Sequence, residues 1–294
     1  MARIACPLPS SVWRKGAASP CTLRRLRCSF TPSRSLMSGP RQLLDPVKPI
    51  YVMVGGRLFA LADGSFERLY PPPCHAWHKL PELPFWSKHV TCYTDVRTLY
   101  VSIGGCAPAT LSFDTAESVI RDGDCRWKQH GQWQLPFTGR AYYEHRLEAW
   151  VGLSRDPRTI GHLCSCDAVP TNASQQQCPA MKLSKEKLFS EVPEERQIGA
   201  TLVRMGEGKF CLLECVYIQA DEQTGSDGEK IEDSVDEVTE KKDHRKRFIR
   251  LTTFSASYDK NGDLTTVSSR RLRYCSVPEE VTEPMLEHPV AYWM

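Results

Sequence analysis

The chain has 294 residues, 41% of them hydrophobic and 25% charged, a composition that excludes a collagen, a wholly disordered chain and a disulfide miniprotein. No apolar run approaches the roughly 18 residues that a membrane-spanning helix needs, so a globular protein without membrane association is expected. The net charge of +3 splits unevenly: residues 1–44 hold eight basic side chains and no Asp or Glu, leaving 30 basic against 35 acidic groups, a net of −5, in residues 45–294. That mildly acidic body argues against a surface that coats nucleic acid.

In chain order, the first segment is a basic leader, 1–45. It is rich in Arg and Ser and contains Leu23-Arg24-Arg25-Leu26-Arg27, without an apolar core of secretory-signal length. Two readings stand side by side: an organellar transit peptide, or a disordered or mis-assigned start. Thirteen cysteines, an odd number, predict free thiols in a reducing compartment rather than a disulfide framework. The expected location is intracellular: cytoplasm or nucleus, or plastid or mitochondrion if the leader is a transit peptide.

Residues 46–294 change texture. Runs rich in Val, Ile, Tyr, Phe, Trp and Thr at 49–61, 90–103, 109–113, 140–153, 200–218 and 248–258 are bounded by Gly, Pro, Asp and Asn, and read as strands. Lys260-Asn261-Gly262-Asp263 predicts a tight hairpin turn. The one weak helical pattern is 183–189. Residues 221–247 carry ten acidic groups and end in a basic run from Lys241 to Arg247. They predict a disordered charged loop between two strands, a nuclear localisation signal being the competing reading of the basic run.

The body also repeats itself. Gly55 and Gly56 recur as Gly104 and Gly105 after 49 residues, and Trp77 recurs as Trp127 after 50. Leu83-Pro84-Phe85 returns as Leu135-Pro136-Phe137 after 52, and Ser112-Phe113-Asp114 is echoed by Ser165-Cys166-Asp167 after 53. Tyr93, Tyr100 and Val101 are matched by Tyr143, Trp150 and Val151. A period near 50 in strand-rich sequence predicts an all-β, kelch-like β-propeller of about four to five repeats, with the ring possible as an incomplete one. A β-sandwich is the competing form. The glycines are expected at bends, the tryptophans between sheets, and Asp114 and Asp167 as turn caps.

No phosphate-binding glycine loop, HExxH helix, calcium loop or GxSxG elbow occurs. On a strand, His162, Cys164 and Cys166 would share one face as three soft ligands, but a structural zinc site needs a fourth donor and a different spacing, so a buried strand is the ordinary reading. Cys74, His75 and His78 form a weaker set in a Pro-rich loop. Glu144, His145, Glu148 and Asp114 offer an acid–base set whose spacing reads as solvent-exposed turns. Tyr142, Tyr143 and Trp150 read as sheet rather than a stacking platform. No catalytic residue, metal or other cofactor is expected.

The stretches Thr110-Leu-Ser-Phe-Asp-Thr115, Trp127-Lys-Gln-His-Gly-Gln-Trp-Gln-Leu-Pro-Phe137, Gly139-Arg-Ala-Tyr-Tyr143 and Leu147-Glu-Ala-Trp-Val-Gly-Leu153 resemble a family of grass plants, the domain of unknown function 1668. So do Gly161-His-Leu-Cys-Ser-Cys-Asp167, Gly199-Ala-Thr-Leu-Val203 and Pro289-Val-Ala-Tyr-Trp-Met294. The resemblance covers roughly residues 49–294 and implies a kelch-like or F-box-associated propeller; it brings no catalytic residues with it. No F-box pattern is visible in the leader. The expected function is a non-catalytic module that binds a protein or peptide. The alternative is an enzyme or metal-binding protein using a propeller pocket around His162, Cys164 and Cys166.

Overall fold

The computed structural model describes residues 2–5, 50–62, 64–70, 76–84, 90–94, 97–116, 126–167, 178–218, 246–278 and 281–293. The rest of the expected leader, the charged segment through 245, and Cys74 with His75 lie outside the described residues. What is described is all-β. Strand β1 (Ala2–Ala5), inside the stretch expected to be a disordered leader, pairs antiparallel with the last strand, β18 (Val290–Trp293). The expected loop also stops short of its predicted end, because Lys246 and Arg247 already belong to a strand.

Between these ends the described chain folds into four successive four-stranded antiparallel meanders. Unit I is β2 (Ile50–Val54), β3 (Arg57–Ala62), β4 (Ser65–Leu69) and β5 (Trp77–Lys79). Unit II is β6 (Val90–Thr94), β7 (Thr98–Ile103), β8 (Ala109–Asp114) and β9 (Trp127–Gly131). Unit III is β10 (Phe137–Glu144), β11 (Ala149–Ser154), β12 (His162–Asp167) and β13 (Met181–Lys187). Unit IV is β14 (Glu195–Gly206), β15 (Lys209–Ile218), β16 (Lys246–Tyr258) and β17 (Leu264–Ser276). The segment with the weak helical pattern is β13, a strand. Its side chains alternate, and pairing with β12 outweighs the modest helix propensity of Lys and Glu.

Period-two alternation explains how the units stack. In β15, Phe210 and Leu212 face the core shared with unit III, where they meet Val151, Leu163 and Phe254. The alternate residues Cys211, Leu213 and Cys215 face a second core with Ile249, Met285, Leu286 and Ala291. A strand buried on both faces must read as a continuous apolar run, which is what this segment does. Two further cores join unit I to unit II, through Phe59, Phe66, Leu99 and Phe113, and unit II to unit III, through Trp133, Phe137 and Trp150. At a fully buried Val, Leu or Phe side chain this burial is worth about 1.5–3 kcal/mol.

The first strands of the units gather together. β6 and β10 pair in parallel through Arg140↔Cys92 to Tyr142↔Thr94. Tyr142 donates its hydroxyl to the Leu202 carbonyl of β14 at 3.0 Å. Arg140 donates to the Ala291 carbonyl of β18 at 3.0 Å and to the Tyr51 carbonyl of β2. One guanidinium therefore ties β10 to the first strand of unit I and to the last strand of the chain.

Candidate functional site

His162, Cys164 and Cys166 sit on one strand, β12. The register with β13 shifts between His162 and Cys164, with the extra residues on β13. The His162 Nδ1 lies 2.9 Å from the Ser184 carbonyl. Cys164 and Cys166 point into the core of Trp133, Phe137 and Trp150, both essentially inaccessible. Burial pushes the Cys164 thiol up to about 12 and raises Cys166 further, so both thiols are protonated as they sit in this core. Among the described residues no group of three His, Cys, Asp or Glu side chains could hold a metal ion. The structure adds one residue that sequence spacing missed: Cys178, exposed and near enough to both thiols to raise them further. Cys275 is disulfide-bonded, a departure from free thiols throughout.

The acid–base set does not converge either. Glu144 is fully buried and accepts from Arg204 Nε at 3.2 Å and from the Arg146 amide at 3.3 Å, an ion pair that fastens unit III to unit IV. His145 is exposed and stacks edge-on against Tyr143. Asp114 accepts the Ala116 amide at 2.9 Å, closing a local turn. Asp167, at the end of β12, pairs with Ala149.

Trp77 and Trp127 each open the fourth strand of their unit, and Trp127 packs on Phe66 and Phe113 with ring centroids 5.3 and 5.1 Å away. The glycine pairs, by contrast, occupy different corners. Gly55 and Gly56 make the turn between first and second strands, with φ of +55° and +75°, angles that admit glycine. Gly104 and Gly105 follow the second strand of unit II. There Gly104 makes room for the Gln134 side chain, and Gly105 adopts φ +107°. One dipeptide thus serves two local geometries.

The chemistry left exposed lies on unit IV. Glu214 and Arg250 face each other across β15 and β16 as a buried ion pair. Glu214 also accepts the Ser190 amide at 3.0 Å, and Arg250 donates to the Leu188 carbonyl, so the pair holds the linker between units III and IV. Burial pushes the Glu214 carboxyl up, while the Ser190 amide and Arg250 pull the other way. Beside the pair, Tyr274 of β17 donates to Glu195 at 2.7 Å. Glu195 Oε2, Arg250 Nε and Thr252 Oγ1 are buried on this face without a hydrogen-bond partner among the described residues. Strand β17 exposes apolar side chains on both faces: Leu272 and Tyr274, 48% and 44% exposed, pair with Thr252 and Arg250, whereas Val267, 56% exposed, pairs with Ser255 and faces the other way. Exposed apolar side chains gathered on one strand can accept the apolar groups of a partner.

The sequence model of a family described as protein of unknown function (DUF1668) matches residues 30–274. No curated protein matches the chain. Among solved structures, the N-terminal domain of Nup159 is similar at 10% identity, over 74% of this chain and 46% of that one, with a TM-score of 0.29. The chain therefore spans less than half the length of that domain. The family match runs without interruption from the leader to the outer strand of unit IV, and the chain belongs to the family of unknown function DUF1668.

Proposed function

We propose that the chain is a non-catalytic protein-interaction module built as a kelch-like propeller. In this reading the four meanders are blades, their first strands line the centre, and β18 takes a fifth inner position beside β14. The parallel pairing of β6 with β10 and the reach of Arg140 to β2 and β18 support that arrangement. The partner is a protein or peptide that docks on the outer strand of unit IV.

One observation carries the docking site: of the seven large apolar side chains exposed among the described residues, three (Val267, Leu272 and Tyr274) lie on β17. Isolated exposed apolar residues are ordinary, but a concentration on one outer strand is the signature of a contact surface. The test is affinity purification from cell extract with cross-linking, using the full chain beside Val267→Glu and Leu272→Glu. Both positions are half-exposed, so the variants should keep the parent's circular dichroism and melting curve. The expected result is a reproducible partner whose cross-links fall on β17 and which both variants lose. No reproducible partner, or one that both variants retain undiminished, overturns the proposal.

A further inference from the structure

We infer that the partner of this surface seats a carboxamide side chain between Glu195 and Arg250, in the place that the ring of Tyr274 covers. The inference rests on the interaction-module reading and names the partner's chemistry. The site is on the face of the sheet and does not use the edge of β17.

Register fixes the place. Tyr274 of β17 pairs with Arg250 of β16, and Arg250 with Glu214 of β15. The Tyr274 hydroxyl nonetheless reaches Glu195, the first residue of β14, at 2.7 Å. Strand β14 lies beyond β15 in the same sheet, so the ring extends inward across the Arg250 position. Three polar atoms gather there with no hydrogen-bond partner among the described residues: Glu195 Oε2, Arg250 Nε and Thr252 Oγ1. Thr252 is 3% exposed and shares the face of Arg250, two residues along β16. The cover over them is light. Tyr274 is half-exposed and packs edge-on against Phe248 with ring centroids 6.5 Å apart. A change of rotamer, common when a partner docks, swings such a ring outward.

The donors and acceptors then select the guest. Glu195 Oε2 accepts, Arg250 Nε donates, and Thr252 Oγ1 does either. Orphaned atoms in a buried place discriminate sharply, because a guest without their complement leaves them desolvated and unpaired. Glu195 and Glu214 set two carboxyl groups against the one guanidinium of Arg250, which disfavours an anionic guest. A lysine or arginine brings only donors and nothing for Arg250 Nε, and a thioether or alkyl chain brings neither. A carboxamide carries both on one planar group. Its NH2 donates to Glu195, taking the place of the Tyr274 hydroxyl, and its C=O accepts from Arg250. Leu272 lies on the same face, two residues from Tyr274, and pairs with Thr252. An extended partner therefore sets an apolar side chain there, two residues from the carboxamide.

The probe is a fluorescent, capped peptide of about six residues with one Gln and a Leu two residues on, titrated against the full-length chain. Controls replace the Gln by Glu, Lys or Met, which keep its length and lack one or both of its hydrogen-bonding roles. The Gln peptide should bind at least about tenfold tighter than each control. Glu195→Ala should weaken the Gln peptide about tenfold and leave the Met peptide unchanged. Tyr274→Phe removes the competing hydroxyl and should tighten the Gln peptide about threefold, a gain that a purely apolar contact at Tyr274 does not produce. Melting curves check that both variants fold. Equal binding of the Gln and Met peptides, tighter binding of the Glu or Lys peptide, or no binding of any peptide overturns the inference. So does an unchanged or weaker Gln affinity in folded Tyr274→Phe. If cross-links from a native partner fall on β17 while the peptides show no preference for Gln, this inference fails and the interaction module stands. If no partner is found, the module fails on its own test.

Discussion

Units I and IV are the same four-strand meander built to different lengths. The strands of unit I have 5, 6, 5 and 3 residues, and those of unit IV have 12, 10, 13 and 13. In unit I eight of the eleven residues of β3 and β4 are buried, so the strands are no longer than their packing requires. In unit IV the half of β17 beyond β13 has no such neighbour among the described strands and presents Leu272 and Tyr274 to solvent. Short strands persist where adjacent units clamp them, whereas the long ones are held by their own ladder as well. Length beyond what the core needs is where surface chemistry can be carried without loss of fold.

The largest effects should come from the cores that clamp the short units. Phe113 is fully buried, edge-on to Phe66 at 4.9 Å, and joins units I and II. Phe113→Ala should destabilise by about 3–5 kcal/mol in urea denaturation. If the contrast between units holds, native-state exchange should speed up in β2–β9 while amides of β15 and β16 keep their protection. A uniform loss across all four units would show that they open together and that strand length buffers nothing.

Glu214→Ala attacks unit IV from within. It leaves Arg250 in a largely buried place with its partner gone, at a penalty of about 3–5 kcal/mol. Glu144→Ala should do less, because Arg204 is 31% exposed and recovers water. Equal losses would mean that burial of the cation does not govern the difference. Gly199→Ala is the next step down. A Cβ there would sit 2.3 Å from the Glu287 carbonyl and 2.4 Å from that of Leu286, backbone that cannot swing aside. The expected loss is about 1–3 kcal/mol, read as a lower melting temperature. Gly104→Ala meets only the end of the Gln134 side chain, which can rotate away, and should lose less.

The contrast between units also explains how much the sequence disclosed. Units I to III carry runs rich in β-branched and aromatic residues bounded by turn residues, and Trp127 and Phe113 lie where the repeat puts large apolar contacts. The hairpin turn at Lys260-Asn261-Gly262-Asp263 follows from local chemistry, with Gly262 at φ +78°. Strand β17 escaped detection because Ser268-Ser269-Arg270-Arg271-Leu272-Arg273 has neither apolar alternation nor β-branched content; its pairing with β16 holds it extended. The surface proposed for binding therefore lay in the stretch least legible as structure. The glycine pairs misled in the opposite direction. Their identity repeats, but the corner they occupy does not, since a bare dipeptide does not say whether a positive φ or a missing Cβ is required. Likewise the spacing of His162, Cys164 and Cys166 gave no sign of the core of Trp133, Phe137 and Trp150 that takes the two thiols.

The smallest expected effect sits at the seam where β17 leaves unit III. Lys185 of β13 places its Nζ 2.6 Å from Asp259 Oδ2 and 3.0 Å from Asp263 Oδ2, on the turn that begins β17. The Lys185 hydrogen bond, helped by the amides of Asp263 and Asn261, holds the Asp259 carboxyl down at about 2. An unfolded Asp titrates near about 4. The folded value is the lower one, so the stabilisation is present in full above about pH 4 and is lost as the pH falls through about 2. Lys185→Met should flatten the fall of the urea midpoint between pH 4 and 2 while changing the neutral-pH midpoint little, since the pair is solvent-exposed and screened by salt. An unchanged acid slope in the variant would assign the lowered carboxyl to the turn amides alone. In that case the seam would be set by the geometry of the β16–β17 hairpin and not by the contact with unit III, and unit IV would stand further apart from its neighbour than strand length by itself implies.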